Sequence, residues 1–237
     1  MGRRRGTAAC LQDRSGVLPS RPGILGRRIP GLNALGRVRA HYARQAADYD
    51  RRWRSYVDAT TRETMARLSV PREARILDVG CGTGVLLGRL FAAHPGSRLS
   101  GVDSAPQMLD IARKRLPEGI ELREASAEHL PYPEAAFDIV VSTSMFHYLP
   151  DPNLALREME RVLRPGGTVV VTDWCADFLV CRICEAYLSI FREVRYSIHR
   201  SGEWLSLLAG AGFSGAAIDR YKVSWLWGVM TATARKP

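Results

Sequence analysis

The densest chemical signal in the chain is the run LDVGCGTG, in which Asp78, Gly80, Gly82 and Gly84 stand two residues apart. Glycines at alternate positions let the backbone turn through positive φ and let a ligand lie close against the main chain, while a following helix offers free N–H donors. A dinucleotide-binding loop needs the pattern G-x-G-x-x-G. Here the third glycine arrives one residue early and Val85 occupies its place, which argues against NAD or FAD. A second cluster is Cys175, Cys181, Cys184 and His199. These four could form a zinc set, but Cys181 and Cys184 lack a second pair at matching spacing, and buried packing is the plainer reading.

The elements around these residues follow from apolar periodicity. From Val38, the residues Tyr42, Ala46, Tyr49, Trp53, Tyr56 and Val57 recur at three or four, predicting N-terminal helices over 38–70 that end near Pro71. The short apolar run around Ile76 and Val79 then predicts a buried strand, and VLLGRLFAA a helix. RLSGVD, IELREAS, FDIVVSTS and GGTVVVTDW read as further strands. The intervening APQMLDIARKRL, capped by Ser104, and NLALREMERVL read as helices, as does the later GEWLSLLAGAGF. Two more strands are expected near 215–222 and 225–235. Alternating strands and helices predict an α/β protein with a seven-stranded, mostly parallel sheet covered on both faces. In such a sheet the ligand site lies at the carboxyl ends of the strands.

Taken together, ILDVGCGTG, GVDSAPQMLDIARKRL, ASAEHLPYPEAAFDIVVSTSMFHYL, REMERVLRPGGTVVVTDW and LLAGAGF occur in an order that resembles the class I S-adenosylmethionine-dependent methyltransferases. The resemblance is to the branch holding ubiquinone- and menaquinone-biosynthetic enzymes and many natural-product methyltransferases, and it runs from about residue 40 to the end. It implies a Rossmann-like fold with S-adenosyl-L-methionine as cofactor. Cofactor binding then falls to Asp78, Gly80, Gly82, Gly84, Asp103, Met108, Ser126, Ala127 and Glu128. Asp103 would accept hydrogen bonds from both ribose hydroxyls. Asp78 would act near the amino and carboxylate end, and Met108 would cover the adenine unless it is simply core. The family usually carries Asp where this chain has Ser126, which can still accept a hydrogen bond from the adenine amino group, with shorter reach and no charge.

The same resemblance places the methyl acceptor after the fourth strand. STSMFHYLPD there lacks the Asn/Asp-Pro-Pro-aromatic tetrad of enzymes that methylate nucleobase amines or protein glutamine. His147 is the histidine near the methyl position, either a general base or a packing residue. Tyr42 and Tyr49, seven apart on one helical face, line the methyl site or form an aromatic stripe packed on the domain. The segment 174–200 is expected to be a variable lid, with Phe178, Cys181, Cys184, Leu188 and Phe191 on one helical face.

Charge and composition narrow the partners. The 237 residues carry a net charge of +10, yet residues 1–39 hold nine arginines against one acid, Asp13, so the remaining 198 residues are close to neutral. That distribution argues against a duplex-binding face, and no nucleic-acid partner is expected. Residues 1–37 are expected to be a disordered basic tail and 38–237 one methyltransferase domain. Five cysteines, an odd number, point to a reducing, cytoplasmic setting, and no apolar run is long enough to span a membrane. The expected function is methyl transfer to the oxygen, carbon or nitrogen of a small, apolar or aromatic molecule. The alternative is a cofactor-binding scaffold without turnover.

Overall fold

The computed structural model describes residues 34–149, 151–191 and 196–237. The expected basic tail lies outside the described residues except at its end. There α1, Ala34–Ala66, begins four residues earlier than Val38 and runs unbroken through the region expected to hold several cap helices. Leu35 and Val38 extend the apolar stripe of Tyr42 by one turn and help to wall a crevice, and a single glycine such as Gly36 costs a helix only about 1 kcal/mol.

Seven strands form one sheet in the order β3-β2-β1-β4-β5-β7-β6. They are β1 Arg75–Val79, β2 Arg98–Asp103, β3 Glu121–Glu124, β4 Phe137–Thr143, β5 Leu163–Trp174, β6 Ser214–Lys222 and β7 Gly228–Arg235. β1 to β5 are parallel and β7 runs antiparallel between β5 and β6. The connecting helices are α2 Val85–Ala93, α3 Pro106–Arg115, α4 Pro152–Val162, α5 Leu179–Phe191 and α6 Ser201–Gly210. Consecutive strand residues point to opposite faces, so each central strand feeds two cores. Leu77, Val140, Val169 and Val171 pack with Leu156, Met159, Trp204 and Leu208 of α4 and α6. Their neighbours Ile76, Ile139, Val141 and Val170 pack with Leu87, Leu90, Leu109 and Ala112 of α2 and α3.

The chain travels outward from β1 to β3 and returns to the other side of β1 with β4. That reversal opens a crevice beyond the carboxyl ends of β1 and β4, where ligands bind in open α/β sheets. α1 roofs it. Ala46 packs on Ala105 and Met108, while Thr64, fully buried, donates its hydroxyl to Thr172 Oγ1 of β5 at 2.8 Å. Among the described residues, no helix is long and apolar enough to cross a membrane.

Two local expectations are corrected. Ser104 does not cap α3. Ala105 occupies the N-cap position with Pro106 following, and the Asp103 carboxylate accepts the Ala105 N–H at 2.8 Å, which frees Ser104 to line the crevice. β3 is also shorter than IELREAS suggested, because residues 125–127 turn into the crevice wall instead of continuing the ladder.

Candidate active site

The glycine run forms the floor of the crevice. Gly80, Gly82 and Gly84 all take positive φ, at 77°, 53° and 78°, the region that L side chains avoid. The Gly80 and Cys81 N–H groups donate to Val102 O at 2.8 and 2.9 Å, which docks the turn on β2. At Gly84, an added Cβ would lie 2.8 Å from Leu116 Cδ1 and 3.2 Å from Ala112 Cβ. Gly84 is therefore a packing residue beneath the crevice and does not line it.

Asp103 ends β2 beside this turn. Its two carboxylate oxygens accept the N–H groups of Gly82 at 2.9 Å and Ala105 at 2.8 Å, which fixes the side chain and leaves further lone pairs for a ligand. Burial raises its pKa, and these backbone donors oppose the rise. Asp78 lies at the end of β1, buried behind the wall, and burial together with the Asp103 charge raises its pKa to about 8. Among the described residues nothing donates a hydrogen bond that offsets this rise. A cation brought near it, such as an amino acid's ammonium, would relieve the cost of burying the carboxylate.

The crevice encloses about 270 Å³. Of the nine residues expected to bind cofactor, Gly80, Gly82, Asp103, Met108, Ser126, Ala127 and Glu128 line it; Asp78 and Gly84 stand behind them. A second cavity of about 230 Å³ adjoins the first, with Trp53, Tyr56, His147, Trp174, Tyr196 and Trp227 among its walls. Tyr42, Tyr49, Ser144 and Tyr148 line both cavities. The aromatic stripe of α1 is thus part of a dividing wall, with the Tyr42 and Tyr49 rings 5.7 Å apart. Ser144 holds a positive φ of 58° there. Its Oγ hydrogen-bonds the Tyr56 hydroxyl at 2.7 Å, and Tyr56 in turn accepts the Trp174 Nε1–H at 2.8 Å.

His147 sits in a single 3-10 turn, Phe146–Tyr148, following β4. Sequence reasoning missed its partner. Asp173, at the end of β5, accepts from His147 Nδ1 at 2.5 Å and from the His147 backbone N–H at 3.1 Å. Trp174 lies flat against the imidazole, 4.3 Å away at 8°. The segment 174–200, expected to be a variable lid, contains α5, with Cys184 and Leu188 lining the second cavity and Cys181 buried, its thiol donating to Gly228 O at 3.1 Å. Phe178 precedes α5 and packs against Gly228; the Phe191 side chain lies outside the described residues. Cys175 and His199 meet as a lone β-bridge pair.

A glycine turn at the end of β1, a carboxylate at the end of β2 and a crevice at the reversal point define a nucleoside-cofactor site of the doubly wound α/β type. A family model described as a methyltransferase domain matches residues 77–171. Malonyl-[acyl-carrier protein] O-methyltransferase of Geobacter sulfurreducens is 40% identical over 195 residues, which cover 77% of this chain and 72% of that one. Demethylmenaquinone methyltransferase of Thermus thermophilus is 45% identical over 103 residues, covering 42% of this chain and 47% of the relative, so the chain spans less than half of that protein. A Thermotoga maritima crystal structure, described as an S-adenosylmethionine-dependent methyltransferase and possible histamine N-methyltransferase, superposes with a TM-score of 0.70 at 22% identity. That match covers 84% of this chain and 99% of that one. The chain belongs to the class I S-adenosylmethionine-dependent methyltransferases, and S-adenosyl-L-methionine is its cofactor.

Proposed function

We propose that the protein transfers a methyl group from S-adenosylmethionine to a small aromatic acceptor held in the second cavity. The observation that carries this reading is the wall of Tyr42, Tyr49, Ser144 and Tyr148 shared by the two cavities. A donor on one side and an acceptor on the other meet there, shielded from water. In-line methyl transfer asks the protein mainly for alignment and water exclusion.

In the crevice, the glycine turn would let the cofactor approach the backbone, and Asp103 would accept its ribose hydroxyls. Met108 and the stretch Ser126, Ala127 and Glu128 would flank the adenine, while Asp78 would favour the ammonium through its charge. When bound, the cofactor supplies an electrophilic methyl on a sulfonium sulfur. The residues present fit it: a buried acid with a raised pKa suits a cation, and among the described residues a Cβ on Gly82 would meet only Met108 Cε, at 3.7 Å, so the turn leaves room there for a ligand against the backbone. The walls of the second cavity suit a flat, apolar acceptor. The Thermus relative is named for demethylmenaquinone, so quinols are the first class to assay.

Calorimetry with S-adenosylmethionine and with NAD tests the cofactor half. Binding of the first alone is expected, and Asp103→Ala should weaken it by about 1.5 to 3 kcal/mol, the range for hydrogen bonds to a charged group. Unaltered affinity in a folded Asp103→Ala protein would end the ribose assignment. Labelled cofactor with quinols, phenols and amines tests the acceptor half; transfer to none of them would leave the scaffold reading.

A further inference from the structure

We infer that Asp173 and His147 form a buried proton-accepting pair and that the acceptor presents an aromatic or enolic O–H to it, so that oxygen is the atom methylated. This inference rests on the methyl-transfer reading above. His147 is 3% exposed and Asp173 2%. Their contact at 2.5 Å engages Nδ1, so the carboxylate holds the tautomer in which Nδ1 carries the proton and Nε2 keeps its lone pair. Asp173 is itself anchored by the backbone N–H groups of His147 at 3.1 Å and Trp174 at 2.6 Å. The imidazole is further confined by the flat Trp174 ring and by Tyr148, whose ring lies 4.2 Å away. A packing histidine needs no such orientation, and this one lines the acceptor cavity.

The groups around the ring leave Asp173 as its charged neighbour. From α1, burial raises the Tyr42, Tyr49 and Tyr56 phenols above their ordinary range, and it does the same to Tyr148 beside the imidazole, so all stay neutral. From α5, the Cys184 thiol is also raised, and Tyr187 reaches the same cavity. Tyr196, which also lines the cavity, lies parallel to the imidazole with its ring 5.9 Å away. His41, against Gln45, and Arg52, over the Trp53 ring, also line the cavity from α1. Among the described residues that line the cavity there is no carboxylate. A cationic acceptor would therefore meet Arg52 and no counter-charge, whereas a phenol that loses its proton to His147 forms an ion pair with an imidazolium already balanced by Asp173.

In the step, the acceptor O–H bond breaks and its proton moves to Nε2. The oxygen lone pair forms the new O–CH3 bond as the S–CH3 bond breaks, and that pair returns to sulfur. The imidazolium releases its proton to solvent after the ether leaves. His147 is the catalytic residue and Asp173 the positioning residue.

The test uses the full chain, labelled S-adenosylmethionine, and 1-naphthol and 1-naphthylamine as matched probes. Naphthol should be the better acceptor. Asp173→Asn should lower kcat by about 30-fold or more and move the acid limb of the rate profile to lower pH, since an imidazolium without its carboxylate is less stable. KM for naphthol should change little. His147→Gln should cost about 100-fold or more and remove that limb; it also carries the test if Asp173→Asn does not fold. A preference for naphthylamine overturns the oxygen assignment, and near-normal turnover with an unmoved profile in both variants overturns the pair. If neither probe is methylated, 4-nitrophenol added to the S-adenosylhomocysteine complex decides. Coloured phenolate bound by wild type below its solution titration supports the pair, and phenol bound in its neutral form overturns it. Failure of wild type to bind S-adenosylhomocysteine would instead sink the methyl-transfer reading on which the pair depends.

Discussion

Thr83, the residue between Gly82 and Gly84, donates its hydroxyl to Asp50 Oδ1 of α1 across 2.7 Å, tying the floor of the cofactor crevice to its roof. Arg115, at the end of α3, completes the knot. It donates to Thr83 O at 2.6 Å and pairs with the other oxygen of Asp50. Because Asp50 and Arg115 are each about one-third exposed, the ion pair itself is worth roughly 1 kcal/mol or less. The larger consequence is for the roof: without this tie, the N-terminal half of α1 is held over the crevice by the packing of Ala46, Tyr42 and Tyr49 and by the ion pair of Arg39 with Glu124 of β3. Asp50→Ala is therefore expected to lower the melting temperature by only a few degrees while weakening S-adenosylmethionine about five- to tenfold. Calorimetry beside a thermal melt checks it; equal affinity in the variant would show that α1 holds its place without Asp50.

The proposed role of Asp78 beside the cofactor's ammonium predicts that cofactor binding depends on pH. The folded pKa of Asp78, raised to about 8, lies far above the ordinary carboxyl value near 4. The sign follows from linkage. The folded state retains a proton that the unfolded chain has lost, so Asp78 costs nothing below about pH 4 and destabilises progressively as pH rises from there toward 8. Asp78→Asn should accordingly raise the melting temperature at pH 7.5 and leave it nearly unchanged at pH 4. The same substitution removes the charge that attracts an ammonium. Wild-type affinity for the cofactor should rise between pH 6 and 8, with proton release visible by calorimetry in buffers of different ionisation enthalpy, and the variant should show neither. A wild-type protein that releases no proton on binding would rule out the ionisation of Asp78.

Gly84 and Gly119 separate packing from backbone strain. Both have positive φ, at 78° and 97°, but a Cβ on Gly84 would meet Leu116 and Ala112 whereas one on Gly119 would have nothing within 4 Å. Gly119→Ala should cost about 1 kcal/mol for the left-handed backbone alone. Gly84→Ala adds overpacking and should cost about 2 to 4 kcal/mol in all. Denaturant unfolding measures both, and equal losses at the two sites would contradict the packing role of Gly84.

What the sequence alone determined is what short-range chemistry controls. The alternation of buried strands and amphipathic helices is written in residue periodicity, so the two-faced sheet was legible, as were β6 and β7 to within a few residues. The glycine turn and Asp103 were legible because a positive-φ turn and a strand-end carboxylate are decided by their own residues and immediate neighbours. Ser104 misled because a serine before a helix usually caps it; here Asp103, one residue earlier, already accepts the Ala105 N–H. The start of α1 was obscured by Gly36, whose small local cost is outweighed by the contacts Leu35 and Val38 make in the crevice wall. Tertiary structure alone decided the rest. Asp173 meets His147 because β4 and β5 are adjacent parallel strands whose carboxyl ends emerge side by side, with Thr143 in register with Thr172. Nothing in the sequence around these two residues, which stand 26 positions apart, encodes that meeting. The same holds for Thr83 with Asp50, and for Tyr42 with Tyr148, whose rings lie 5.4 Å apart across the dividing wall. Such partners are set by strand order and by the path of a helix across the sheet, which are properties of the whole packed chain and not of any window within it.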